Sequence, residues 1–233
     1  MKAVQLFDVE SAAALKPTAA DIVTPLGTIE LSLAGGAIRV AGIAPATLRV
    51  STHARVHVWD HPDFRAELLV ATINPEVPPS LVVAGCQVGL WRVRAVTEID
   101  RCVFDAVWRA GSTPAEGGPS SGQGLAALTW SVGRLEVSLG AWDAEAMAWN
   151  ARAGFSLPTA WRAVIDVDDP SNVIIEEYLN DGLRLRLPGL CPGELGQVHF
   201  AAAWADTAAQ SSAAWFAVDL SAGQILTVLE AAV

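Results

Sequence analysis

Lysine occurs only twice in 233 residues, at Lys2 and Lys16, tyrosine once and methionine twice. Cysteine occurs three times, as Cys86, Cys102 and Cys191. These are odd in number, far apart and free of any C-x-x-C spacing. A zinc knuckle or redox motif is therefore not expected, and reduced thiols packed as small hydrophobes are. No apolar run reaches the ~18 residues of a membrane-spanning helix. The opening Met1-Lys2-Ala3-Val4-Gln5-Leu6-Phe7-Asp8 puts an acid where a secretory signal needs its apolar stretch, so a cytoplasmic protein is expected. Charged residues are only 17% of the chain and hydrophobic ones 52%, which argues against disorder over most of its length. No phosphate-binding glycine loop, kinase set or H-E-x-x-H is present. Helical periodicity is scarce, with Val9–Leu15 and Trp142–Trp149 as short candidates and Asp143 near the start of the second.

Period-two patterning fills the space that helix leaves. Thr28–Leu33, Arg134–Leu139 and Leu183–Leu187 alternate apolar with polar residues, which buries one face of a strand and wets the other. Asn180-Asp181-Gly182, between the apolar runs Val173–Leu179 and Leu183–Leu187, is a hairpin signal because these residues tolerate positive φ. Proline and glycine near Pro75–Pro79 and Pro188–Pro192 mark further turns. From Gly111 to Gly124 the chain is rich in Gly, Ser and Pro and has no periodicity, so it is expected to be a linker or long loop.

The two sides of that segment resemble each other. Gly27-Thr28-Ile29-Glu30-Leu31-Ser32-Leu33 parallels Gly133-Arg134-Leu135-Glu136-Val137-Ser138-Leu139. Asp60-His61-Pro62 parallels Asp168-Asp169-Pro170, and Phe104-Asp105-Ala106-Val107 parallels Trp215-Phe216-Ala217-Val218. The expected fold is all-β: two tandem antiparallel β-sandwich-like units with very little helix. They would span 1–111 and 125–233, joined by a linker at 112–124.

Charge separates the halves. Residues 1–111 carry ten Lys/Arg against eleven Asp/Glu, and residues 112–233 carry five against fourteen. Phosphates would be repelled by the second half, so direct nucleic-acid binding is not expected, and a basic partner would be steered in. Six carboxylates there form a candidate binding set: Asp166, Asp168, Asp169, Glu176, Glu177 and Asp181. Read as a strand, Ile165–Asp168 places Asp166 and Asp168 together on the outward face. A solvated acidic face is the plain alternative.

In the first half, His53-Ala54-Arg55-Val56-His57-Val58-Trp59 alternates so that His53, Arg55, His57 and Trp59 share one face. Histidines four apart on a strand lie roughly 13 Å apart at ~3.3 Å per residue, too far to chelate one ion together. No metal or cofactor is expected, and the face is a candidate polar interaction surface. Gly118-Pro119-Ser120-Ser121-Gly122 fits G-x-S-x-G only formally, because a nucleophile elbow needs a strand before it and a helix after it. Of nine tryptophans, at least six are expected in the core, with Trp59 and Trp142 expected to be partly exposed.

Several segments together carry a family resemblance. They are Leu135-Glu136-Val137-Ser138-Leu139, Trp142-Asp143-Ala144-Glu145-Ala146, and a late hairpin from Leu185-Arg186-Leu187-Pro188 through Gly193 to Gln197-Val198-His199-Phe200. That hairpin is followed by a closing segment Trp215-Phe216-Ala217-Val218-Asp219. The first half repeats the hairpin as Gly89–Arg94 and Val103–Trp108. In these features the chain resembles the competence protein J type of bacterial nuclease inhibitor and immunity-like β proteins, here in two copies. The resemblance implies inhibition by binding and no catalytic residues. Arginine in place of lysine, with abundant alanine, suits a GC-rich bacterial genome.

The expected function is a non-enzymatic, immunity-like protein-binding module whose acidic second half meets a basic, nuclease- or toxin-like protein. A small-molecule or carbohydrate-binding sandwich and a structural subunit of a larger assembly are the alternatives. Neither nucleic acid nor membrane is an expected partner.

Overall fold

The computed structural model describes residues 13–14, 20–35, 38–39, 45–49, 54–111, 113–114, 116–166, 168–170, 173–207, 212–220, 223–225 and 227. The first half runs through β1 (Ala13–Ala14), β2 (Asp21–Thr24), β3 (Gly27–Gly35), β4 (Ile38–Arg39), β5 (Ala46–Arg49), β6 (Ala54–His61), β7 (Phe64–Ile73), β8 (Gly85–Ala95) and β9 (Ile99–Trp108). The second begins with β10 (Gly117–Pro119), β11 (Leu125–Val132) and β12 (Leu135–Trp142). Helices α1 (Ala144–Arg152) and α2 (Thr159–Ile165) follow, then β13 (Glu176–Leu179), β14 (Gly182–Leu190), β15 (Leu195–Asp206) and helix α3 (Ala213–Val218).

The strands form two antiparallel sheets. Among the described residues the larger has nine strands in the order β1-β5-β6-β7-β8-β15-β12-β11-β10. The smaller has the order β13-β14-β9-β3-β2, with β4 paired to β3. They pack face to face over a core that includes Leu31, Trp91, Phe104, Trp108, Trp130, Trp161 and Phe200. The outer face of the larger sheet is buried as well. Val56, Val58, Leu69, Val88, Ala201 and Ala203 pack there against Ala214, Val218, Leu220 and Ile225 from α3 and the chain beyond it. Strand composition accounts for this second layer. β15 reads Val198-His199-Phe200-Ala201-Ala202-Ala203, apolar on nearly every residue, and such a strand is stable only with both faces covered.

The all-β sandwich with little helix is the architecture the sequence predicts. The expected boundaries at 1–111, 112–124 and 125–233 mark the change of half along the chain, but both sheets run across them. β8 pairs with β15 from Gly85 opposite Trp204 to Arg94 opposite Leu195. β9 pairs with β14 from Val107 opposite Gly182 to Ile99 opposite Leu190. Read in parallel, β13-β14-β9-β3-β2 and β7-β8-β15-β12-β11 share one plan. In each, a hairpin and a closing strand from one half are extended by a strand pair from the other. The matching segments 27–33 and 133–139 fall on β3 and β12, equivalent places in this plan. The match between 104–107 and 215–218 does not hold structurally, because the first is in β9 and the second in α3.

Within the expected linker, Gly117–Pro119 pair with Trp130, Thr129 and Leu128 as an edge strand, and the Trp215 indole donates to the Ser120 carbonyl. The helix expected near Trp142–Trp149 is α1, with the Asp143 carboxylate accepting from the Ala146 N–H at 2.9 Å. Of the Val9–Leu15 candidate, only Ala13–Ala14 are described, and they form β1. The Asn180-Asp181 hairpin joins β13 to β14 as read, with Leu179 opposite Gly182.

Candidate functional site

Of the face expected on β6, His53 lies outside the described residues. The other three members point into the space between the sheets, which corrects the expectation of a polar surface. Arg55 is half-buried and donates to the Asp21 carbonyl of β2 at 3.2 Å. His57 is fully buried, and its pKa is pushed down to about 4, first by burial and then by the Arg55 charge. Trp59 is only 5% exposed, its ring 5.4 Å from Trp91 and 6.2 Å from His57. Alternation separated the two faces of β6 correctly, but both are covered, so neither meets solvent. Trp142 is likewise buried, at 8% exposure, against the imidazole of His199. With Trp91, Trp108, Trp130 and Trp161, six tryptophans are buried.

The acidic set is exposed in part and differently built. Ile165–Asp168 is not a strand. Trp161 and Ile165, one helical turn apart, bury the inner side of α2, leaving Arg162, Ala163 and Val164 outside. The Trp161 indole donates to the Pro188 carbonyl at 2.9 Å and meets Phe104 edge-on at 6.4 Å. The helix ends on Asp166 in the left-handed region (φ 40°), which Asp adopts more readily than most side chains. The Asp166 carboxylate accepts the N–H groups of Asp168 and Asp169, each at 3.3 Å. The spacing of four between Trp161 and Ile165 was the helical signal that a four-residue alternation obscured. Asp166, Asp168, Arg162 and Ala163 line an open recess of about 580 Å³, with the Asp168 carbonyl held by Arg152 at 3.1 Å.

Glu176, Glu177 and Asp181 form a second group on the β13–β14 hairpin. Glu177 is neutralised locally by Arg186 at 2.7 Å and Arg184 at 3.7 Å. Arg184 also grips Asp105 of the other half through two bonds, at 2.6 and 3.1 Å. Asp181 gives its backbone carbonyl to the Trp108 N–H at 2.7 Å. Glu176 accepts the Ile175 N–H at 3.2 Å and lies near Asp143, whose pKa is raised by burial first, with the charge of Glu176 adding to the effect. The six carboxylates are thus two separate groups: Asp166, Asp168 and Asp169 are exposed, and Glu176, Glu177 and Asp181 are half-buried.

Two chemistries weighed in the sequence lack a constellation. Ser120 of the G-x-S-x-G match shares its hydroxyl with Thr129 at 2.7 Å, and strand β11 follows rather than a helix. Among the described residues, no three His, Cys, Asp or Glu side chains gather where they could hold a metal ion. No helix among the described residues is long and apolar enough to cross a membrane.

Sequence reading missed a buried polar row on the larger sheet. Glu67 on β7 lies opposite Arg92 on β8, both about 1% exposed, and Arg65 donates to Glu67 at 3.1 Å. His199, two residues along β15 from the partner of Arg92, is also buried, with a backbone hydrogen bond to Leu220 and a pKa lowered by burial to about 4. The available signal was a charge with apolar residues on both sides of it inside each strand, Ala66-Glu67-Leu68 and Trp91-Arg92-Val93.

No family model matches the chain, and no curated protein does. Among the solved structures it resembles are two that match over most of its length. One is a protein assigned as a kojibiose phosphorylase from the human microbiome, at 6% identity and TM-score 0.41, covering 88% of this chain and 26% of that one. The other is a polysaccharide lyase, at 12% identity and TM-score 0.34, covering 77% and 26%. The chain therefore spans about a quarter of the length of either protein, and nothing about activity follows from a likeness of this degree.

Proposed function

We propose that this chain is a non-enzymatic protein-binding module that meets a basic protein through the acidic surface of residues 143–181. The reading carries with it a bacterial, cytoplasmic, immunity-like role. The observation behind it is the excursion between β12 and β13. Residues 143–175 hold five carboxylates and two arginines, and Asp166 and Asp168 line an open recess. Among the described residues neither of these two forms an ion pair. Val164 and Ile174 lie exposed in the same segment. Exposed apolar side chains set among a net excess of negative charge suit a protein partner of the opposite sign, steered by field and held by contact.

Affinity capture from the native host at low salt tests the reading, comparing the wild-type chain with a triple variant, Asp166→Asn, Asp168→Asn and Asp169→Asn. Asparagine keeps a side-chain oxygen to accept the backbone N–H groups and tolerates the left-handed turn, so the fold is preserved while three charges go. Basic proteins retained by the wild type and released by the variant or by salt are the expected result. Retention of acidic or neutral proteins only, or equal retention by both forms, refutes it.

A further inference from the structure

Among the described residues β13 forms one edge of the smaller sheet, and β2, with β4 beside it on β3, forms the other. At β2 two of the outward backbone groups are taken. The Asp21 carbonyl accepts from Arg55 at 3.2 Å, and the Val23 N–H donates to the Gln87 side chain at 2.9 Å. The β13 edge is different. Leu179 and Gly182 flank a two-residue turn, so they form a hydrogen-bonded pair, and alternation makes Glu177 and Arg184 the next one. The bond from the Arg186 N–H to the Ile175 carbonyl, at 2.7 Å, continues the same phase. The N–H and C=O groups of Glu176 and Tyr178 therefore point away from β14, and no backbone bond to them is recorded among the described residues.

Side chains on this edge add a charge requirement. Leu183 and Leu185, opposite Tyr178 and Glu176, are buried between the sheets, so Tyr178 and Glu176 share that inner side. Tyr178 is tied to Ser121 and to the Ala127 backbone, which holds the strand against the larger sheet. Glu176 lies within electrostatic reach of Asp143 and its charge helps to raise that carboxyl's pKa, whereas Arg184 and Arg186 serve Glu177 on the opposite face. Ile174, just before the strand, is 80% exposed.

We propose that β13 receives an extended segment of the partner protein as an added strand, with lysine or arginine at the position facing Glu176 and Asp143. Main-chain bonds to Glu176 and Tyr178 would supply register and affinity, and the cation would supply selectivity. A second copy of this chain is a poor occupant, because antiparallel pairing of β13 with itself through Glu176 and Tyr178 sets Glu177 against Glu177 and offers Glu176 no cation. The inference rests on the proposal of a basic partner.

The test is binding of a capped heptapeptide of alternating lysine and valine to the full chain at low salt, followed by fluorescence anisotropy. Binding is expected. It should be lost when alternate peptide amides are N-methylated or when glutamate replaces lysine. Glu176→Gln, which keeps an acceptor for the Ile175 N–H, should weaken it about fivefold, the weight of one partly exposed charge pair. Equal binding of the methylated peptide, or an unchanged Glu176→Gln variant, overturns the proposal. So does a wild-type dimer in sedimentation that the peptide dissociates, which would give the edge to a second copy. The peptide assay needs no native partner. Failed capture with retained peptide binding overturns the acidic-surface reading and leaves the edge site standing, and the reverse overturns the edge site.

Discussion

Trp161 carries the attachment of α2, and with it the display of Asp166 and Asp168. Its side chain is fully buried, its ring lies against Phe104, and its indole satisfies the Pro188 carbonyl of β14. A Cβ on Gly196 would come within 2.9 Å of the ring, so β15 runs directly beneath it. Trp161→Ala should leave a cavity that the surrounding strands cannot fill, at about 3–5 kcal/mol. For a chain of this length each kcal/mol is worth roughly 2–4 °C, so the melting temperature should fall by about 6–20 °C. Trp161→Phe keeps most of the apolar contact but strips the partly buried Pro188 carbonyl of its donor, at about 1 kcal/mol. Urea unfolding of the three forms measures both losses, with the midpoint shifting and the slope unchanged. A loss below about 1 kcal/mol for Trp161→Ala would refute the account of a tightly packed anchor.

Other consequences are open to measurement. His57 and His199 have pKa values of about 4 in the folded chain against 6.5 ordinarily. Between those values the unfolded chain binds more protons. The two rings therefore make stability fall as pH drops from about 6.5 to about 4, by of order 3 kcal/mol each. Imidazole NMR should show both rings neutral at pH 5.5, and a ring titrating near 6.5 would contradict its burial. Asp105 and Arg184 join the two halves through a partly buried bidentate pair, so a double-mutant cycle with alanine should give a coupling of about 1 kcal/mol that shrinks in salt. Cys86 and Cys102 are buried, with thiol pKa values pushed up to about 12 by desolvation, whereas Cys191 is exposed. A thiol reagent should label one cysteine quickly and the other two only on unfolding, and three fast thiols would show that the core is open.

Local pattern was a good guide wherever one contact range decided the outcome. β3, β12 and the β13–β14 hairpin need only alternation and a turn, and Asp143 starts α1 through a bond three residues away. Pattern failed where a short segment fitted two periods. Ile165–Asp168 alternates over four residues, yet the spacing from Trp161 to Ile165 is helical. Trp215–Val218 looks like a strand and is α3, because alanines at 213, 214 and 217 let a helix lie close on the larger sheet.

Composition and periodicity by themselves determined an all-β chain with little helix, a mostly internal tryptophan set and an excess of carboxylates in the second half. Each of these depends on a residue's own chemistry or on neighbours a few positions away. The packed thiols expected at all three cysteines hold for Cys86 and Cys102 and not for the exposed Cys191. Only the tertiary structure decided that both sheets take strands from both halves, that the His57–Trp59 face of β6 is interior, and that Glu177 is neutralised while Asp166 and Asp168 stand in the open. Those outcomes depend on which strand lies beside or above another. Such pairing is set by long-range burial, and alternation along one segment carries no record of what covers either of its faces.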